Sequence, residues 1–288
     1  MKKLILIFAL IPFLSFGQSE VIKKLDEKAE FYTGIAMQLW NNPELGYLET
    51  ESSALLQQTL SDAGFQVEAG VAEIPTAFVA EYGSGSPIIG IMAEFDALPG
   101  VSQKAVPFRE PVVEGGAGHA CGHHLFGAAS VAAAISAKEW LEENGMQGTI
   151  RLYGTPAEEG GGGKVYMAKS GIMDDVDAML HWHAASGNSA IAASSLANIS
   201  TKFRFYGEAS HAAAAPERGR SALDGVEAMN FLVNMLRAHV PQETRMHYVI
   251  TRGGEAPNVV PAFAESYHYV RHPDAMKVKE IFDRMVEI

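Results

Sequence analysis

The chain has 288 residues, of which 48% are hydrophobic, and a single cysteine. That length suits one large or two medium domains around a substantial core, and it excludes a disordered chain. With 34 acidic against 22 basic residues the net charge is −12, and no basic patch stands out, which argues against nucleic acid and anionic membranes as partners.

Residues 1–18, MKKLILIFALIPFLSFGQ, place two lysines before an apolar run of about a dozen residues, followed by small and polar ones. This is the layout of a secretory signal peptide, too short for a comfortable membrane span. Cleavage is expected near Gly17 or Gln18. The mature chain is then expected to be periplasmic or secreted, with no internal disulfide and no membrane attachment. Residues 20–39 carry apolar side chains at helical spacing up to the break at Asn41-Asn42-Pro43. A second helix is expected over 50–63, closed by Gly64. Short strands are expected over 65–67 and 77–82. After Pro87, the run IIGIMAEF reads as a strand buried on both faces, and it ends in Glu94 and Asp96. In open α/β sheets that carboxyl edge is where sites are built, although an acid there also serves as a turn cap.

Residues 101–118 show no clear period and lead into HACGHHLFGAA at 119–129. Cys121 and His123 flank one glycine, so a tight turn can aim both at one point. A thiolate and an imidazole suit a borderline-soft divalent ion such as zinc, while a lone cysteine is also commonly buried as a small hydrophobe. A buried helix is expected over 125–144, its N-terminal dipole favouring the Cys121 thiolate. A strand over 149–153 runs into TPAEEGGGGK, where the adjacent carboxylates of Glu158 and Glu159 call for positive charge. This loop lacks the phosphate-binding frame. A strand over 178–182 puts His181 and His183 on one face. Four sheet-edge loops thus deliver acids, histidines or the thiol, and a metal hydrolase site is the favoured reading. Beyond residue 196, strands over 199–206, 245–251 and 263–271 with helices over 223–240 and 275–288 suit a separate α+β domain. Its loop 207–225 holds His211.

The stretches WNNPELGYLE, EFDALPGVSQ, GHACGHHLFGAA, GTPAEEGGGGK, DDVDAMLHWH, SHAAAAPERGRSALD and APNVVP resemble the dinuclear zinc amidohydrolases. That family includes aminoacylases, glutamate-releasing carboxypeptidases and auxin-conjugate hydrolases, and the sequence is most similar to its p-aminobenzoyl-glutamate hydrolase branch. The resemblance implies an α/β/α zinc-exopeptidase-like catalytic domain over residues 19–195, with its carboxyl-terminal part missing. It implies a small inserted α+β dimerisation (lid) domain over 196–288. Cys121, His123, Glu159 and His183 match ligands of one or two zinc ions, with manganese as the alternative metal. Glu158 matches the general base, and Asp96 the acid that orients a metal-bound histidine. His211 matches a histidine that reaches across to the partner's site in a homodimer, and Asn258 and Arg271 match substrate contacts. Glu94 stands where the wider family has a histidine ligand, and His124 where relatives carry Asp or Asn.

The implied reaction is hydrolysis of the amide bond of a small-molecule N-acyl or aryl amino acid by a metal-activated water. A dipeptidase or aminopeptidase of the same chemistry is one alternative, and a non-catalytic metal-binding or dimerising module is another. Relatives return from the small domain to the large one and supply a further histidine there. The 288 residues are therefore read as a fragment of a longer reading frame rather than a truncated inactive product, because the motifs show no decay.

Overall fold

The computed structural model describes residues 15–190 and 195–288, so residues 1–14 of the expected signal peptide lie outside the described residues. The chain divides into two compact units, Met1–Asn188 and Ser189–Ile288.

The first unit opens with α1 (Ser15–Glu27) and α2 (Ala29–Asn41), where apolar spacing alone predicts one helix. The break falls at Lys28, whose N–H is shared between the carbonyls of Lys24 and Leu25. Next come α3 (Thr50–Asp62), β1 (Gln66–Ala69), β2 (Phe78–Ser84) and β3 (Ile88–Ala93). The 22-residue α4 (His123–Asn144) starts two residues earlier than its apolar run suggests, and it closes on Gly145 at φ +59°. β4 (Gly148–Gly154), α5 (Gly163–Lys169) and β5 (Ala178–Leu180) complete the unit.

These strands form one mixed sheet in the order β1-β2-β4-β3-β5. β1 and β4 both pair antiparallel with β2, whereas β3 runs parallel to β4 and β5. The main core lies on one face of the sheet. Leu39 of α2, Leu56 and Leu60 of α3, and Val131 of α4 close there over Phe78, Ile91 and Leu152. The other face carries a smaller cluster around Val71, Tyr153 and Met167 of α5. Because β3, β4 and β5 all point the same way, their carboxyl ends open at one edge. That edge releases Glu94 to Asp96, Thr155 to Glu159, and His181 to His183.

The second unit is a three-stranded antiparallel sheet in the order β6-β8-β7, formed by β6 (Ala197–Tyr206), β7 (Arg245–Arg252) and β8 (Phe263–His272). Helices α6 (Ala222–Leu236) and α7 (Ala275–Val286) share one core with it through Met229, Val233, Val270, Val278 and Ile281. The Asp274 carboxylate caps α7, accepting from the Met276 N–H at 2.8 Å. Asp274→Ala is expected to cost about 1 kcal/mol, read as a lower midpoint in thermal unfolding. No helix among the described residues is long and apolar enough to cross a membrane.

Candidate metal centre

The centre is built on the turn before α4. Gly122 sits at φ +84°, a left-handed conformation that glycine adopts without steric cost, and a Cβ there would lie 2.9 Å from that of Ala184. With Gly122 as the N-cap, Cys121 and His123 leave the turn on either side of it. His123 is 1% exposed. Its Nδ1 lies 3.0 Å from Asp96 Oδ1 and 3.1 Å from the Asp96 carbonyl, both acceptors, so this nitrogen carries the proton and donates. Nε2 is thereby turned toward Glu94 Oε2 at 3.0 Å.

The β4 loop brings the paired acids. The Glu159 N–H donates to Asp96 Oδ2 at 2.8 Å, so one buried carboxylate ties the His123 ring to the Glu158-Glu159 turn. The β5 edge brings the histidines. The strand stops at Leu180, short of residue 182, so strand alternation does not govern His181 and His183. They reach different partners: His183 Nε2 lies 3.3 Å from Cys121 Sγ, and His181 Nε2 lies 3.4 Å from Glu94 Oε1. The buried Phe126 ring packs edge-on against both imidazoles.

Among the described residues, two groups of side chains can converge on an ion: Cys121, His123 and His183, and Glu94, His123 and Glu158, with the donor atoms of each group within 4.8 Å of one another. The orphaned polar atoms test the fit. Glu159 Oε1 is buried without a hydrogen-bond partner among the described residues, and the buried His123 Nε2 and Glu94 Oε2 face only each other at 3.0 Å, although buried polar atoms usually have a full set of partners. A divalent cation satisfies such lone pairs together, and a donor set of thiol, imidazole and carboxylate suits zinc.

Electrostatics points the same way. Burial alone disfavours a charged His123 ring, but Asp96 and Glu94 overcome it and hold the imidazolium up to about 10. Glu94 is likewise penalised by burial, yet His123 and Lys164 pull it down to about 2. The site therefore attracts positive charge. Desolvation, with the neighbouring Glu159, Glu158 and Glu94, pushes the Cys121 thiol up to about 12. Without a cation, this opposes the helix dipole that the sequence suggests would favour the Cys121 thiolate. The helix begins only at His123, and nearby carboxylates outweigh its partial charge, so only a bound cation would draw the proton off. Desolvation and the charge of Glu94 raise the Glu158 carboxyl above its usual range, with Lys164 opposing.

Three residues with no role assigned from sequence belong to this centre. Lys164, which follows the glycine run, pairs with Glu94. His124 packs against Trp40 with ring centroids 4.8 Å apart. Glu49, fully buried, accepts from the Ala157 N–H at 2.7 Å and from the Thr76 hydroxyl at 3.0 Å, bracing the residue before Glu158. All three lie inside motif stretches, but no spacing rule marks any of them as part of a site.

The remaining candidates lie in the second unit. His211 and Asn258 sit on adjoining loop segments, with the Ala212 N–H donating to the Asn258 carbonyl at 3.0 Å. The His211 Nδ1 accepts from Ala213 N and Ala214 N, each at 3.2 Å, which leaves Nε2 to carry the proton. Arg271 is not gathered with them. It pairs with Asn198 at the far end of β8, roughly 26 Å of extended strand from the Phe263 end that adjoins the His211 loop.

The sequence profile of peptidase family M20/M25/M40 matches residues 90–274, well over half of the chain. The chain belongs to this peptidase family. The M20/M25/M40 chain is 44% identical over 275 residues to a p-aminobenzoyl-glutamate hydrolase component of Escherichia coli (strain K12), covering 93% of this chain and 57% of that protein. It is 30% identical over 282 residues to the Xaa-Arg dipeptidase of Mus musculus, covering 92% of this chain and 60% of that one. The chain thus spans about three-fifths of the length of the curated relatives it matches. Among solved structures, a dinuclear metal-binding peptidase of the M20 family from Bacillus subtilis superposes with a TM-score of 0.61 at 22% identity, covering 89% of this chain and 67% of the other. At that identity the likeness establishes the fold.

Proposed function

We propose that this M20-family chain carries the metal-binding half-site of an amidohydrolase that cleaves N-acyl or aryl amino acids of the p-aminobenzoyl-glutamate kind. The observation that carries the reading is the convergence of ligand-type atoms from Cys121, His123 and His183, and from Glu94, His123 and Glu158, with the buried, unpartnered Oε1 of Glu159 beside Cys121. The 44% identity to the Escherichia coli p-aminobenzoyl-glutamate hydrolase component supports the substrate class. Cys121, His123, Glu159 and His183 would hold zinc or manganese, as one ion or two, and a bound ion would supply Lewis acidity to the site.

The chain's own residues do the rest. Asp96 fixes the His123 ring so that Nε2 faces the centre. Glu158, its carboxyl raised by desolvation, takes a proton from the attacking water and returns it to the leaving amine. His211, with its proton on Nε2, donates to the oxygen of the scissile carbonyl as charge builds there, in a homodimer formed through residues 196–288. Asn258 and Arg271 are assigned to the substrate's polar groups. The composition of residues 1–18 supports export to the periplasm or beyond.

Zinc content measured together with glutamate release from p-aminobenzoyl-glutamate tests the proposal. The expected result is zinc bound at one or two per chain, with glutamate released. A folded chain that binds no divalent metal overturns it. Release of arginine from Xaa-Arg dipeptides, with p-aminobenzoyl-glutamate left intact, would move the chain to the dipeptidase reading that its 30% identical relative suggests.

A further inference from the structure

We propose that Lys164 is a resident cation of the centre: its ammonium fills the Glu94 side, so that a divalent ion is confined to the Cys121 side. This rests on the amidohydrolase reading and decides which of the two convergent groups holds the ion. It casts Lys164 as a positioning residue rather than a catalytic one.

The two groups, Cys121-His123-His183 and Glu94-His123-Glu158, share one residue. His123 Nδ1 is spent on Asp96, which leaves Nε2 as its single ligand atom. One nitrogen lone pair binds one ion, so His123 serves either group but not both. The choice falls to the neighbours that each group already has.

On the Glu94 side the place is taken. The Glu94 residue is only 2% exposed. Its Oε1 accepts from the Lys164 ammonium, and its Oε2 faces His123 Nε2 at 3.0 Å. His181 Nε2 lies 3.4 Å from the same Oε1. Glu158 feels this ammonium too, since Lys164 opposes the rise of its carboxyl. A dication placed among Glu94, His123 and Glu158 would have to displace that charge or bear its repulsion, in surroundings where burial weakens screening. On the Cys121 side the neighbouring charges have the opposite sign. His183 Nε2 lies 3.3 Å from Cys121 Sγ, and the charges that bear on the thiol are the carboxylates of Glu159, Glu158 and Glu94. A thiol with two imidazoles is also the softer donor set, the one that suits zinc.

The backbone delivers Lys164 to this point. It is the second residue of α5, which starts where the glycine run lies against the β4 loop. A Cβ at Gly163 would lie 2.1 Å from the Pro156 carbonyl oxygen, and one at Gly161 would lie 2.7 Å from the Ala157 Cβ. Only glycine lets the run come this close. The first turn of α5 is thereby drawn against the segment that leads into Glu158 and Glu159. From there the Lys164 side chain, 25% exposed, reaches to Glu94 at the end of β3. The glycine run lacks a phosphate-binding frame, and its use here is to bring in an ammonium.

Cobalt titration of the metal-free full chain, followed by absorption, tests the assignment. Cobalt stands in for zinc, and its thiolate charge-transfer band reports whether Cys121 is a ligand. The wild type is compared with Lys164→Met, which keeps the aliphatic stem and removes the charge, and with Lys164→Arg, which keeps the charge. In wild type the first equivalent is expected to raise the thiolate band. Lys164→Met should bind one equivalent more than wild type with no further rise in that band, because Glu94, Glu158 and His181 are freed to hold it. Lys164→Arg should keep the wild-type count, and Lys164→Gln decides the matter where Lys164→Met fails to fold. Several results overturn the assignment and leave the amidohydrolase reading standing: equal, non-zero counts in wild type and Lys164→Met, an extra ion that adds to the thiolate band, an extra ion in Lys164→Arg as well, or a first wild-type equivalent without the band. An ion that enters Lys164→Met without the thiolate band, when the folded wild type binds none, supports the resident cation and removes the metal-hydrolase reading. Cobalt bound by neither folded chain overturns both.

Discussion

Glu158→Gln is expected to lower the rate of p-aminobenzoyl-glutamate hydrolysis by about 10²–10⁴-fold while leaving the zinc content of the chain unchanged. The substitution keeps the size and shape of the side chain and removes only its ability to take a proton. On the proposed reading the surroundings favour that role, because desolvation and the charge of Glu94 raise the Glu158 carboxyl above its ordinary range. Glu159 is held differently. Its backbone N–H is tied to Asp96 Oδ2, and its Oε1 is buried and unpartnered beside Cys121. Glu159→Gln is therefore expected to weaken zinc binding first and lose turnover as a consequence. The comparison is sharp because Glu158 also lies within 4.8 Å of ligand-type atoms on Glu94 and His123. Loss of zinc in Glu158→Gln, with zinc retained in Glu159→Gln, would exchange the two roles. Metal analysis and steady-state rates on the two variants separate the cases.

What the sequence can and cannot show follows from the range of the forces involved. The Gly122 turn is legible because a single glycine between two ligand-type residues has few uses, and its φ of +84° is one that only glycine takes freely. The buried β3 run is legible from its continuous apolar character, and Glu94 and Asp96 follow from where that run ends. The break at Lys28 is not, since no Gly or Pro marks it and the apolar period continues across it. The upward push on the free Cys121 thiol escapes a local reading because that reading weighs only the helix dipole, whereas the acids that oppose it arrive from β3 and from the β4 loop. Spacing cannot reveal a charge that the fold brings in from elsewhere. The same limit applies to His181 and His183, since alternation predicts a shared face only while the strand lasts, and it ends at Leu180. The distance of Arg271 from His211 emerges only from the register of β8, which pairs Arg271 with Asn198.

Glu49 is the clearest case of a residue that no pattern rule finds, and its removal is expected to be the most damaging to stability. Glu49→Ala should destabilise the first unit by about 3 kcal/mol, since it leaves the Ala157 N–H and the Thr76 hydroxyl buried without an acceptor and opens a void. The Ala157 bond has a particular task. Ala157 is not glycine yet sits at φ +54°, a conformation that costs an ordinary residue roughly 1–2 kcal/mol, and the Glu49 carboxylate offsets that cost. Glu49→Gln keeps an oxygen for Ala157 but turns an amide donor toward Thr76, so a loss of about 1 kcal/mol is expected. The pair also carries a pH signature. Burial raises the Glu49 carboxyl above its ordinary 4.5, against the hydrogen bonds that lower it, so the folded chain binds this proton more tightly than the unfolded one. Its stabilising contribution is then complete below the unfolded value and is lost as pH rises through the folded one. Denaturant unfolding of metal-free wild type and Glu49→Gln should show the wild-type advantage shrinking as pH rises above 4.5. A constant gap would mean that Glu49 enters the fold ionised at its ordinary value. Because Ala157 directly precedes Glu158, Glu49→Ala should weaken zinc binding although no ligand has been touched. Wild-type zinc affinity in that variant would show that the Glu158-Glu159 turn holds its shape without the Glu49 brace.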